Sequence, residues 1–323
     1  MSVQLHRLFL MLLPASLVYA GYATAQSYPA KPIRLIVALA PGGGVDTSAR
    51  LFGQKLTEAW GQQVVIENRP GAGGTIASEM VAHAAPDGYT LLWHSSSHAM
   101  TPTLYKLSYD VVKDFAPVTL VTVAPSVLVV HHSLPVRSVK ELIALAKARP
   151  NELMFSSAGN GSPAHVALEL FKMMTGVKIV HVPYKGAAPS ITDLIAGRVS
   201  LSSASVISTM PHVDAGRLRA LAVLGAKRSQ AVPQIPTVAE SGVPGFEVDV
   251  WYALLAPATT PKEIVAKLHE EIARILAQPA VKVRMLASGL EPVGTPPDQF
   301  AAYVRAEVAK WAKVIREAHI RID

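Results

Sequence analysis

From Ile33 onward, short apolar runs alternate with segments whose apolar residues recur every three or four positions. That mixture of periods predicts an α/β architecture. Ile33 to Leu39 reads as a buried strand, followed by Pro41-Gly42-Gly43-Gly44 and a helix from about Asp46 to Trp60. Val64 to Ile66 is the next strand, and a second glycine-rich turn, Gly71-Ala72-Gly73-Gly74, leads into a helix from Thr75. The turn Pro86-Asp87-Gly88 opens the strand Tyr89 to Trp93. Later strands are predicted at Thr119 to Val121, Val127 to His131, Met154 to Ser156 and Ile179 to Val182. Three more follow at Val199 to Ser202, Leu218 to Leu224 and, as one long run, Val248 to Leu255, with helices at Ser138 to Arg149, Ser162 to Thr175 and Ala187 to Ala196 among the predicted strands. Pro261 sits at a favoured early helix position, and Ile264, Val265, Leu268, Ile272, Ile275 and Leu276 then share one helical face. A last helix is expected from about Asp298 to Ile320.

So many strands exceed what one sheet of a typical domain holds. Two α/β lobes joined by crossing strands fit better than two domains in series, with Ala124 to His131 and Val248 to Pro257 as the crossings. The expected division is 26–124 plus 251–323 for one lobe and 125–250 for the other.

The first residues change the picture. His6 and Arg7 precede the apolar run Leu8 to Val18, and Ala23-Thr24-Ala25 supplies small residues, so 1–25 is expected to be a secretory signal cut after Ala25. That run is shorter than the roughly 20 apolar residues a membrane span takes. With no cysteine, the chain can be neither a lipoprotein nor disulfide-stapled. The formal net charge is +7 without any Lys or Arg run. Nucleic-acid binders concentrate such charge, so no nucleic-acid partner is expected; a thin positive field instead suits small anions.

One feature recurs in each half: a strand ends in a glycine-containing turn and a helix begins at once. The first case is Pro41-Gly42-Gly43-Gly44-Val45-Asp46, the second Gly159-Asn160-Gly161-Ser162. Helix starts present unbonded N–H groups and favour negative charge by ~0.3–1 kcal/mol each, and a hydrogen bond to a charged oxygen adds ~1.5–3 kcal/mol. Two such cradles facing each other would grip the two ends of a dicarboxylate, or one carboxylate from both sides. The same glycines also suit ordinary strand-to-helix turns. Rival motifs fail on the residues: no Gly-Lys-Ser/Thr follows either turn, no third glycine completes a dinucleotide fingerprint, and Pro163-Ala164 after Ser162 excludes the serine-hydrolase elbow. Ser162 with His165 reads as a helix cap and a first-turn side chain. His94 and His98 have metal-like spacing, but no cysteine or carboxylate cluster completes a site, so neither metal nor organic cofactor is expected.

The ordered series Ala40-Pro41-Gly42-Gly43-Gly44-Val45-Asp46, Asn68-Arg69-Pro70-Gly71, Pro86-Asp87-Gly88-Tyr89-Thr90, His98-Ala99-Met100-Thr101-Pro102, Gly159-Asn160-Gly161-Ser162-Pro163, His181-Val182-Pro183-Tyr184-Lys185-Gly186 and Ala256-Pro257 resembles the Bug family. These are extracytoplasmic receptors of tripartite tricarboxylate transporters, and the resemblance covers nearly the whole mature chain. It implies a type II periplasmic binding protein fold, and a periplasmic monomer that captures a small organic carboxylate by clamshell closure and serves membrane permease subunits. Carried over by residue, it assigns ligand contact to Pro41 through Asp46 and to Ser95, Ser96, Ser97 and His98 in the first lobe. In the second lobe it assigns Gly159, Asn160, Gly161, Ser162, His165, Tyr184, Lys185 and Gly186. Within this set Asp46 suits helix capping better than ligand contact. The chain also departs from the pattern: Leu39 stands where an aromatic is common, and Ser202-Ser203-Ala204 replaces a Phe-Asp pair. The wall at Ser203 and Ala204 is therefore expected to be roomier and less negative, and the ligand to differ from small amino dicarboxylates and to be larger or aromatic. The same clamp could instead signal to a membrane kinase, or a secreted enzyme could work on a carboxylate with Ser162 and His165.

Overall fold

A strand buried on both faces sends alternate side chains into different cores. Ile33, Leu35 and Val37 enter one apolar cluster, whereas Ile36 enters another. The computed structural model describes residues 28–184 and 186–322; the expected signal segment 1–25 and Lys185 lie outside the described residues. Along the chain the strands are β1 (Ile33–Val37), β2 (Val64–Asn68), β3 (Thr90–Ser95), β4 (Phe115–Val123), β5 (Ser126–His131), β6 (Met154–Ser157), β7 (Val180–Pro183), β8 (Leu201–Ser205), β9 (Leu218–Val223), β10 (Trp251–Pro257) and β11 (Glu291–Thr295). The helices are α1 (Gly44–Trp60), α2 (Thr75–Ala82), α3 (Thr101–Leu104), α4 (Val139–Ala148), α5 (Pro163–Thr175), α6 (Ala187–Ile195), α7 (Val206–Asp214), α8 (Lys262–Ala277), α9 (Pro279–Ala287) and α10 (Pro297–Glu317).

The strands form two sheets. One has six strands in the order β11-β4-β10-β3-β1-β2, the other five in the order β7-β6-β8-β5-β9. β1 runs parallel to β2 and β3, and β10 lies antiparallel between β3 and β4. In the second sheet β6 is parallel to β7 and β8, while β5 is antiparallel to β8 and β9. α8 buries Leu268, Ile272 and Ile275 completely, as its apolar stripe requires. α10 is set differently. Its Trp311 and Val314 share one continuous apolar cluster with Ile36 and Leu92 of the first sheet and with Leu128 and Phe155 of the second.

Several elements differ from the sequence reading. The serine-rich stretch after β3 is a tight 3-10 turn at Ser96–Ala99 rather than a loop. α7 forms around Pro211, α9 follows Gln278, and β11 forms at the sheet edge despite Pro292 and Gly294. The long run from Val248 to Leu255 does not pair throughout: β10 starts only at Trp251.

The reason is that Val248–Val250 crosses between the sheets. Val248 N donates to Leu224 O at 2.9 Å, and Ala124 N donates to Val250 O at 2.7 Å. Val250 thus bonds to the other crossing at Ala124, while Val248 is tied to Leu224, the residue after β9. Val248 and Val250 face one cavity, and Asp249, between them, faces another of about 600 Å3 on the opposite side, together with Glu291 and Tyr303. Burial, reinforced by Glu247 and only partly opposed by Lys310, pushes the Asp249 carboxyl up to about 6. Between its ordinary value of 3.8 and about 6 the folded chain holds a proton that the unfolded chain has released, so this group lowers stability as pH rises through that window. Asp249→Asn should therefore raise stability by roughly 2–3 kcal/mol at pH 7.5 and by little near pH 4, read by calorimetric melting. An equal gain at both pH values would refute the assignment.

Candidate functional site

The first cradle is built from behind. Asp46, in the first turn of α1, is 3% exposed. Its Oδ2 accepts from Gly42 N at 3.0 Å and from Arg50 Nε at 3.0 Å, and its Oδ1 accepts from Asn68 Nδ2 at 2.9 Å. Burial opposes ionisation, yet the Arg50 guanidinium, the Gly42 N–H and the Asn68 amide outweigh it and hold the carboxyl below the ordinary range. Asp46 is a brace for the loop, and Val45 is buried beside it. Pro41, Gly42, Gly43 and Gly44 are exposed, and Gly42 needs its positive φ of 85°. Gly44 has a different constraint: a Cβ there would run into the hydroxyl of Tyr252. That phenol lies against the start of α1, and burial pushes its hydroxyl up to about 12.

The second cradle is tied more tightly than its glycines suggested. Gly159 N donates to Ser157 Oγ at 3.1 Å, and Gly161 N donates to His165 Nδ1 at 3.0 Å. Ser162 caps α5 by accepting from His165 N at 3.3 Å. The His165 ring is buried and stacks on His181 at 3.9 Å, with Phe155 stacked beyond at 4.6 Å. Burial, together with the neighbouring imidazole and Lys172, lowers His165 to about 3, and burial and Lys172 lower His181 to about 4. Both are neutral at ordinary pH. His165 therefore shapes the loop through Gly161, and it lines neither of the two cleft chambers. Gly159 and Gly161 likewise have their N–H groups engaged.

Other expected residues are engaged within the fold. Ser96 and His98 are fully buried, with His98 Nε2 at 3.0 Å from Val111 O. The Tyr184 hydroxyl donates to Asp193 Oδ2 at 2.8 Å, and Gly186 N donates to Ala158 O at 3.1 Å. The last bond places the start of α6, with Ala187, at the cleft.

Two chambers remain. The front chamber, about 210 Å3, is walled by Ser162 through Ala164, by Ala187 and Ser190, and by Ser203, Ala204 and Ser205 of the second lobe, with Val250 and Tyr252 closing it. α5, α6 and α7 all begin at this wall. Three helix starts thus converge on one small space; Pro163 carries no N–H, His165 N is capped by Ser162 Oγ and Val206 N donates to Pro125 O at 2.9 Å, so the helix dipoles and the remaining first-turn N–H groups favour an anion there. The second chamber, about 260 Å3, is bounded by Leu39, Ser95 and Ser97 on one side and by Asn160, Gly161 and Ser162 on the other. Ser162 and Pro163 belong to both, so they form the ridge between them. Among the described residues no group of three or more His, Cys, Asp or Glu could hold a metal ion. Tyr252 was missed by sequence reading, although a signal existed: Val248, Val250 and Tyr252 alternate from the crossing and face one side.

Two lobes, two crossings and a cleft lined by helix starts define a periplasmic-binding-protein fold. The chain belongs to the tripartite tricarboxylate transporter receptor family, whose model, described as "Tripartite tricarboxylate transporter family receptor", matches residues 48–320. It is 40% identical over 306 residues to protein BugT of Bordetella pertussis, covering 94% of each chain. Among solved structures it is similar to Rpa4515 of R. palustris with adipate, with 41% identity, a TM-score of 0.77, and 91% and 99% of the two chains covered. It is also similar to MatC of Rhodopseudomonas palustris with bound malate, with 34% identity, a TM-score of 0.73, and 89% and 100% covered.

His165→Phe keeps a flat ring in the stack but removes the acceptor of Gly161 N–H. It should lower stability by ~1–3 kcal/mol in a melting experiment at pH 7.5. The wild type should also lose stability as pH falls from the ordinary histidine value of 6.5 towards about 4, because the unfolded chain takes up protons that the folded stack refuses. The variant should lose less over that range.

Proposed function

We propose that this protein captures a small organic carboxylate in the periplasm and delivers it, unchanged, to the membrane permease subunits of a tripartite transporter. The observation that carries the reading is the front chamber, where the starts of α5, α6 and α7 meet around serine hydroxyls and small side chains. Adipate and malate, bound by the similar proteins, are carboxylates of a size such a space suits. The chamber is smaller than the ~300–1,000 Å3 of a drug-sized ligand site. Delivery unchanged is favoured by the state of Ser162 and His165. The imidazole Nδ1 already accepts from Gly161, so it is no base for the serine, whose oxygen caps the helix.

In this reading, the lobes are 26–124 with 251–323, and 125–250, and the protein acts as a monomer. An anion seated on the second-lobe helix starts is covered when the first lobe brings the Tyr252 hydroxyl and the α1 start against it, a closure driven by the ligand's preference for the closed form. The crossings at Ala124 and Val248–Val250 are where the chain bends. The secretory leader expected to end near Ala25 supports a site of action outside the cytoplasm.

Titration calorimetry with adipate, malate and a wider set of aliphatic and aromatic carboxylates tests the proposal. At least one should bind, and Tyr252→Phe should weaken it by ~1.5–3 kcal/mol, the value of a hydrogen bond to a charged oxygen. No binding across the whole set, with folded protein, would overturn it.

A further inference from the structure

Behind the crossing at 248–250, on the side away from the helix starts, lies the cavity of about 600 Å3 that Asp249 faces. Its volume falls within the ~300–1,000 Å3 of small-molecule sites, and nothing in carboxylate capture uses it. Leu120, Val123 and Val293 of the first sheet, with Pro125, Val223 and Ala226, give it an apolar wall. Two polar groups stand beside that wall without a hydrogen-bond partner among the described residues, the Asp249 carboxylate and the Tyr303 hydroxyl.

The surroundings of Asp249 are short of positive charge. Glu247, Glu307 and Glu291 act on it with negative charge, and the opposing charge is Lys310. Lys310 is itself held by the Glu307 carboxylate and by Glu247 O at 3.3 Å. The Tyr303 hydroxyl lies in the same field: burial, then Glu307, Asp249 and Glu247, raise it above the ordinary phenol range. Arg228 lines the cavity, but its guanidinium goes to Glu240 at 2.9 Å and to Pro233 O at 3.3 Å, and Lys227 is exposed. Glu291 is partly used, since its Oε1 accepts from Ser229 Oγ at 2.6 Å and from Gln230 N at 2.7 Å. Asp249 is the carboxylate left open to the cavity. It is seated against Gly225, where a Cβ would run into its Oδ1.

We propose that this cavity is a second binding site and that its ligand is a primary alkylamine. The ammonium donates to the Asp249 carboxylate and to the Tyr303 oxygen, two acceptors lining one space, and its alkyl chain lies on the apolar wall. A divalent metal ion suits the site poorly, because it needs several oxygens at once and the open carboxylate here is a single one. The site is opposite to the front chamber in both position and charge, and it stands whatever the front chamber holds.

Hexylammonium and hexanol share a chain and differ in charge, so the pair isolates the carboxylate contact. In titration calorimetry at pH 7.5, the wild-type protein should bind hexylammonium at least ~10-fold more tightly than hexanol, the scale of one charge-assisted hydrogen bond. Asp249→Asn should bring the amine down to the affinity of the alcohol and leave the alcohol unchanged. Hexylammonium should also raise the melting temperature of the wild type more than that of the variant. If the amine binds no better than the alcohol, binds Asp249→Asn as well as the wild type, or does not bind at millimolar concentration, the amine site is refuted. Should Asp249→Asn not fold, the wild-type ratio still decides.

Discussion

An anion taken out of water needs partners, and the front chamber of this chain offers helix starts and hydroxyls in place of charged side chains. No described charged side chain lines the front chamber, so whatever stabilises negative charge there must come from helix starts and hydroxyls. That constraint explains much of the architecture around it. α5, α6 and α7 have to begin at one wall, which requires β6, β7 and β8 to end side by side, and these three are adjacent in the second sheet in the order β7-β6-β8. Small residues line the wall because bulk there would separate the ligand from the N–H groups.

The same demand explains the effort invested in holding loops still. Amide dipoles are useful only when fixed in direction. Asp46 fixes the first loop with a carboxylate, through Gly42, Arg50 and Asn68. The second loop is fixed with neutral groups: Ser157 holds Gly159, and His165, kept uncharged by its burial in the stack with His181, holds Gly161. A carboxylate buried at that second loop would have opposed the field of the helix starts, and an imidazole does not. Histidine here acts as a hydrogen-bond acceptor with an aromatic body.

Much of this was legible in the chain. The continuous run at Ile33 and the two glycine-containing turns announced strand-to-helix junctions, and the surplus of strands announced two lobes. Charge alone pointed to a structural role for Asp46, although it braces the loop through Gly42 and does not cap α1. What stayed hidden was tertiary. His165 and His181 are 16 positions apart, and nothing local says that their rings stack. His98 carries a functional residue type but is buried against Val111. β11 contains Pro292 and Gly294, which argue against a strand, yet an edge position tolerates both. α7 has Pro211 in its interior, which hid it for the same kind of reason. Tyr252 sits in an apolar run that reads as core, and only its phase relative to Val248 and Val250 reveals the side it faces.

α10 gives the molecule a keel. One apolar cluster passes from the first sheet through Trp311 and Val314 to α5 and the second sheet. Separating the halves fully would expose that seam to water, so heat should unfold both together in one cooperative transition. In the proposed clamshell, any opening at the cleft would pivot on this seam, which would restrict the swing to a narrow arc and confine the difference between empty and loaded forms chiefly to the rim.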